Sequence, residues 1–325
     1  MPQVFDVDDI LPDRAAEAVR LPRSQEGSPQ GLTITLIADY TLSRRAWLPS
    51  AAIVDLLGQF GVTSSAARVT ISRLARRGVL EGRRDGRRSA YRLTAPVAAS
   101  LAIGGVEVAA FGGEPDSWDG MWTVVAFSMP QEEGNQRRAI RDYLRWHGFA
   151  PLYDGVWVSP RPMSPERQGK LAANASSAIT FMRSSCLELP TSANRTPIEA
   201  WDLAAIAERY QDFIRQWSRL ASASAVRRVS GVAAVQARTE VMDAYRRFPG
   251  LDPLLPLELL PAGWPRLRAR QVFVSVYDGL AQSATRHIRE VVRRTDDGDW
   301  SDIRAHSVAE MAAGVGEQAP AAIGK

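Results

Sequence analysis

VTSSAARVTISRLARRGVLEGRRDGRRSAYRL, residues 62–93, is the stretch that decides the fold of this chain. Thr63 or Ser64 can cap a helix N-terminus, since a hydroxyl oxygen accepts from the otherwise orphaned amides of the first turn. Gly78 supplies a helix stop. Between them Ala67, Ile71, Leu74 and Gly78 share one face at helical spacing, which predicts a helix of about three to four turns lying on a core. Asp85-Gly86 then stands between VLEGRR and RRSAYRL as a hairpin turn, because a tight hairpin needs the positive φ that this pair tolerates. Val79, Leu80, Tyr91 and Leu93 give the two strands apolar ends.

Upstream, LTITLIADYTL (32–42) reads as an apolar helix or mixed segment. LPSAAIVDLLGQFG (48–61) reads as a second helix, with Leu48, Ile53, Leu56, Leu57 and Phe60 at helical spacing and Gly61 at its C-cap. Three helices followed by a hairpin predict a winged helix-turn-helix over residues 31–96. Nine arginines between Thr63 and Arg92 face only Glu81 and Asp85. This stretch therefore holds +7 in a chain of net charge +4, and the remainder sums to −3. A local basic patch on a near-neutral protein is the electrostatic footprint of nucleic-acid binding.

The helix face opposite the core holds Ser65, Val69, Ser72, Arg73 and Arg76, with Arg68 and Arg77 on its flanks. Arginine can make two parallel hydrogen bonds to guanine O6 and N7, serine can donate or accept, and valine can touch a thymine methyl. These seven are the candidate base-reading residues. Arg83, Arg84, Arg87 and Arg88 flank the hairpin turn, where they could reach phosphates or a minor groove and add affinity rather than specificity.

The rest of the chain divides by composition. Residues 1–30 are a polar leader; 97–120 are a short apolar helix and a Gly-rich link. Residues 121–190 run strand, helix, strand, strand, helix, strand, the ferredoxin-like βαββαβ order. Residues 195–296 are mostly helical, and 297–325 read as a disordered tail. The expected class is thus α+β and multidomain. No apolar run reaches the ~18 residues of a membrane span. The acidic start MPQVFDVDDILPDR is unlike a signal peptide, so the expected location is cytoplasmic. The lone Cys186, read as a small buried hydrophobe, excludes an internal disulfide. His147, His287 and His306 have no zinc spacing, so neither metal nor cofactor is expected.

LTITLIADYTL, AARVTISRLARRGVLEGRRDGRRSAYRLT, WDGMWTVVAF, YLRWHGFAPLYDGVWVSP and LLPLELLPAGWP together resemble the PaaX family of transcription regulators, repressors of phenylacetate catabolism, from residue 32 to about 294. The resemblance implies a winged-helix DNA-binding domain, a central domain similar to CRISPR-associated endoribonucleases, and a C-terminal helical domain. It also implies a homodimer on a palindromic operator, released by an aryl-CoA thioester such as phenylacetyl-CoA. The alternative is a metal-dependent nucleic-acid-processing enzyme built on the central domain. Against it, Ser128 and Met129 stand where those endoribonucleases carry a metal-binding aspartate, and Glu132 and Glu133 suit a helix N-terminus.

Three further groups each admit two readings. Trp118, Trp122, Trp146 and Trp157 could stack on an aromatic acyl group or simply form core. Arg137, Arg138, Arg141 and Arg145 could meet CoA phosphates or form a solvated helix face, and Arg266, Arg268 and Arg270 beside Trp264 share that ambiguity. His147, before Gly148, fits a helix C-terminus favoured by the dipole.

Overall fold

The structure, a computed structural model, describes residues 28–86, 88–113, 117–128, 134–173, 178–185, 187, 196–296 and 298–314. Most of the expected leader, Arg87, Met129, Glu132, Glu133 and Cys186 lie outside them. Two compact units result: residues up to Phe111 with Phe213–Phe248 and Arg268–Lys325, and Gly112–Asp212 with Pro249–Leu267.

The first unit opens with helix α1, Pro29–Thr41, whose N-cap Ser28 accepts from Gly31 N at 3.1 Å. Its apolar residues do not keep to one stripe. Ile34, Leu36, Ile37 and Tyr40 are buried, and so are Thr33, Thr35, Asp39 and Thr41 between them. A helix with no polar face must be covered on all sides. Two of its threonines satisfy themselves by donating back along the helix, Thr33 to Pro29 O (2.6 Å) and Thr41 to Ile37 O (2.7 Å). Strand β1 (Leu48–Pro49) leads into α2 (Ser50–Gly58) and α3 (Ser64–Arg76), followed by the hairpin β2 (Leu80–Asp85) and β3 (Arg88–Leu93). The antiparallel sheet has the order β1-β3-β2, with Leu48 opposite Tyr91 and Gly82 opposite Tyr91 on the other side. Ile53, Leu56, Leu57, Ala67, Ile71, Leu74, Val79 and Leu93 close the core beneath it.

Residues 95–110 form one helix, α4 (Ala95–Ala110), rather than a short helix and a glycine-rich link. Gly104 and Gly105 cost roughly 1 kcal/mol each in a helix interior. Burial of Val97, Ala98 and Ala109 and a covering helix at the chain's far end offset that cost.

The second unit is ferredoxin-like: β4 (Trp122–Phe127), α5 (Gly134–Trp146), β5 (Ala150–Tyr153), β6 (Val156–Ser159), α6 (Pro165–Ala173) and β7 (Ile179–Ser184), in the antiparallel order β5-β6-β4-β7. Both faces of its sheet are covered. Val125, Phe127 and Trp157 pack with Ile140, Leu144 and Leu171. Trp122, Val124, Leu152 and Val158 pack with Trp118, Ile198, Trp201 and Leu259. Helix α7 (Leu203–Trp217) then carries the chain out of this unit.

The C-terminal region is helical, with α8 (Ala223–Val226), α9 (Gly231–Tyr245), α10 (Phe248–Leu251), α11 (Arg266–Arg293) and α12 (Val308–Ala312). By contact its residues divide between the two units, Phe213–Phe248 and those from Arg268 on going with the first and Pro249–Leu267 with the second. Helices α9 and α11 belong to the same compact unit as α1. Gln236 of α9 donates to Gln59 O (2.6 Å), and Tyr277 OH of α11 donates to Asp39 Oδ1 (2.8 Å). The all-round apolar surface of α1 is the reason: α9 and α11 supply the cover that α2 and α3 leave open.

The expected disordered tail is also corrected for residues 298–314. Arg304 N donates to Tyr40 O (2.9 Å), Ile303 and His306 are buried, and α12 opens with a capping box in which Ser307 and Glu310 cap each other. It lies on α4, with Met311 against Gly105.

Candidate nucleic-acid interface

Helix α3 is held at its start by Thr63, whose Oγ1 accepts from Ala66 N at 3.2 Å, and at its end by Gly78, whose φ of 72° lets the chain turn into β2. Ala67, Thr70, Ile71 and Leu74 point into the core. Ser65, Arg68, Val69, Ser72, Arg73, Arg76 and Arg77 are all exposed, the five facing away from the core and the two on the flanks alike. Val69 keeps 45% of its surface in water, which leaves its methyl groups free to meet an apolar partner. Among the described residues Arg68, Arg73 and Arg76 have no carboxylate within ion-pair distance, whereas Arg77 has an interaction of its own. Gln30 of α1 joins Arg73, Arg76 and Arg77 in lining a shallow cleft. Sequence reasoning missed it, because nothing local ties residue 30 to residue 76.

The hairpin arginines are not equivalent. Arg83, Arg84 and Arg88 are exposed. Arg83 lies over the indole of Trp47 at 4.8 Å, and Arg88 Nη1 sits 3.7 Å from Asp296 Oδ2. Arg92, on the opposite strand, stacks on the same indole at 4.4 Å and donates to Glu81 Oε1 at 2.6 Å. Glu81 Oε1 also accepts from Arg45 Nη2 at 2.6 Å. Part of the basic patch is thus committed to the hairpin's own structure, and the outer face of α3 with Arg84 carries most of the uncommitted charge. What this arrangement can do chemically is accept phosphates and the acceptor edges of bases.

The alternative candidates are drawn into the protein instead. Trp122 and Trp157 are buried, Trp118 meets Trp122 edge-on at 5.5 Å, and Trp201 stacks on Trp122 at 6.4 Å. These tryptophans are core; Trp146's side chain lies outside the described residues. The α5 arginines are paired in place, four guanidiniums on two carboxylates: Arg137 (2.8 Å) and Arg141 pair with Asp154, and Arg138 (3.8 Å) and Arg145 (3.1 Å) pair with Asp142. Arg266 is buried against Asp252, and Arg270 donates to the Ala109 and Phe111 carbonyls; Arg268 stays exposed. His147 follows α5, but burial first and then Arg167 and Lys170 press its pKa down to about 4, so at neutral pH it carries no charge for the dipole to favour. His306 and His287 are likewise held neutral by burial. Ser128 directly follows β4 and is exposed. Among the described residues no cluster of His, Cys, Asp and Glu could hold a metal ion, and no helix is long and apolar enough to cross a membrane.

An exposed arginine face on one helix, followed in the chain by a basic hairpin, a ferredoxin-like unit and a helical region, defines an α+β protein with a basic N-terminal surface. Family profiles agree in chain order: a PaaX-like protein over residues 28–97, the PaaX protein central Cas2-like domain over 115–196, and the PaaX-like protein C-terminal domain over 201–290. The chain belongs to the PaaX family. It is 30% identical over 258 residues to the transcriptional repressor PaaX of Escherichia coli K12, covering 75% of this chain and 77% of that one. That relative is a transcriptional repressor. Among solved structures, an uncharacterized protein of Mycobacterium tuberculosis shares the fold, with a TM-score of 0.54 at 19% identity over 81% of this chain and 98% of that one.

Proposed function

We propose that the chain is a sequence-specific transcription regulator that binds operator DNA through α3 and the β2–β3 hairpin, read as the recognition helix and wing of a winged helix-turn-helix. The observation that carries this reading is the exposed row of Arg68, Arg73 and Arg76 beside Ser65, Val69 and Ser72 on a rigid, capped helix. A major groove admits an α-helix, and these residues offer guanidinium, hydroxyl and methyl groups, the chemistry that reads base edges.

Kinship with a repressor supports repression as the outcome of binding. The finer reading is a cytoplasmic homodimer on a two-fold operator, with half-sites one helical turn or a multiple apart. It governs an aromatic-acid operon of the phenylacetate type and is released by an aryl-CoA such as phenylacetyl-CoA. An effector releases DNA only by favouring a geometry that binds it worse.

The test is an anisotropy titration of the full chain with DNA from its own upstream region at physiological salt, with and without phenylacetyl-CoA and free phenylacetate. Specific binding relieved by the thioester alone is expected. Binding no tighter than to scrambled DNA at every candidate promoter overturns the regulator reading, and specific binding indifferent to both compounds overturns the effector.

A further inference from the structure

We infer that Trp47 is a positioning residue for DNA binding, which holds the Arg83 guanidinium in place as a ready-made phosphate contact; this rests on the DNA-binding reading above. The loop between α1 and β1 carries Arg45 and Trp47. Arg45 adopts φ 46°, a left-handed conformation that costs a non-glycine residue roughly 1 kcal/mol or more. It stays there because its side chain spans the hairpin: Nε and Nη2 donate to Leu93 O at 3.2 and 3.1 Å, and Nη2 reaches Glu81. Strain held by three hydrogen bonds to β2 and β3 fixes the loop against the wing, and with it the neighbouring indole.

Trp47 then receives two guanidiniums, Arg92 at 4.4 Å and Arg83 at 4.8 Å from its ring. The two are not alike. Arg92 is half-buried and gives its Nε to Glu81, so it belongs to the scaffold. Arg83 is exposed and pairs with no carboxylate among the described residues. A guanidinium lying on an aromatic face is held through its π surface, and its in-plane N–H groups remain directed outward. Those N–H groups match a phosphate's paired oxygens. An arginine loose in water loses side-chain freedom on binding a phosphate, up to about 2 kcal/mol for a fully ordered chain; the indole removes much of that cost in advance. Arg84, one residue on, faces the other side of the strand and shows no such support.

Fluorescence anisotropy of the full chain on a labelled mixed-sequence duplex, measured across a salt series, tests this. Each phosphate contact contributes about 0.9 to the slope of log K against log salt, so R83A should lower that slope by about one and weaken binding up to roughly eightfold at about 0.1 M salt. W47A leaves the net charge unchanged yet should lower the slope similarly, W47F should restore it, and W47A added to R83A should change nothing further. A Trp47 that matters only for stability would lower the melting temperature in W47A without moving the slope of the folded fraction, and its effect would add to that of R83A; that result, or an R83A slope equal to wild type, overturns the inference. Failure of wild type to bind any duplex in a salt-dependent way would instead strike the DNA-binding reading itself.

Discussion

Arg266 and Asp252 form a buried, two-pronged ion pair, Nε to Oδ2 at 2.7 Å and Nη2 to Oδ1 at 2.8 Å. Asp252 also accepts from Tyr210 OH (2.7 Å) and from the amide of Leu254 (2.7 Å), whose φ is 53°. All the acceptor capacity of this carboxylate is used, and burial, which lowers the Arg266 pKa, is outweighed by Asp252, which holds it above the usual arginine value. Removing one partner leaves the other buried and uncompensated, so D252A should destabilise its unit by about 3–5 kcal/mol. Denaturant melts should also show D252L/R266M to be milder than D252A; a double variant worse than the single would contradict the argument.

Asp39 and His306 predict opposite pH dependences within one network. Burial, partly opposed by Arg238, pushes Asp39 up to about 6. Burial, aided by Arg238, presses His306 down to about 3. The raised carboxylic acid contributes stability that is full in acid and lost as pH climbs from about 4 to about 6, while the depressed imidazole contributes stability that is full above about 6.5 and lost toward about 3. D39N removes the first contribution and keeps the second. Thermal melts across that range should therefore show D39N gaining stability with pH more steeply than wild type, and an equal or shallower rise would mean that Asp39 is charged throughout.

Gly155 is required for space. A Cβ there would stand 2.5 Å from the Phe127 carbonyl oxygen, a backbone atom that cannot swing aside, and Gly155 O itself accepts from Phe127 N at 2.8 Å. G155A should lower stability by roughly 1–3 kcal/mol, as overpacking does. G169A, inside α6 with nothing within 4 Å, serves as the control and should be stabilising by up to about 1 kcal/mol. Equal midpoints for the two variants would refute the steric account.

Arg73 and Arg76 should separate from Arg84 in what they do to DNA. Replacing both helix arginines by alanine should erase discrimination between operator and scrambled duplex, at roughly 1–3 kcal/mol for each two-bond base contact. R84A should weaken both duplexes alike. Competition titrations against scrambled DNA measure this, and a change of sequence preference in R84A would reverse the assignment.

Much of this was legible where local rules suffice. Thr63 and Gly78 bracket α3, Asp85-Gly86 marks the hairpin, and the apolar run MWTVVAF and the turn Asp154-Gly155 before VWVS reveal strands. What stayed hidden depends on partners far away in sequence. Trp47 and Arg83 look unrelated until the hairpin folds back, and the buried position of Arg266 follows from Asp252 and Tyr210 rather than from its basic neighbours. Glycines 104 and 105 suggested a link because propensity weighs against them, and packing of α12 outweighed it. In one place the signal was present and passed over: Ser307-Val-Ala-Glu310 before Met311 is a capping-box sequence, which argues against an unstructured tail.

Helix α1 has a last consequence, for how the protein comes apart. Its surface is shared among α2, α3, α9 and the segment at Arg304, so a fragment ending near residue 97 would bare Ile37, Tyr40 and Asp39 to water. The stretch that reads as a module in the sequence is part of a larger compact unit in space, completed by residues some two hundred positions later. Excised on its own, the reading head should be molten or aggregate; and during synthesis the N-terminal helix must wait, unsheathed, until the C-terminal helices emerge to clothe it.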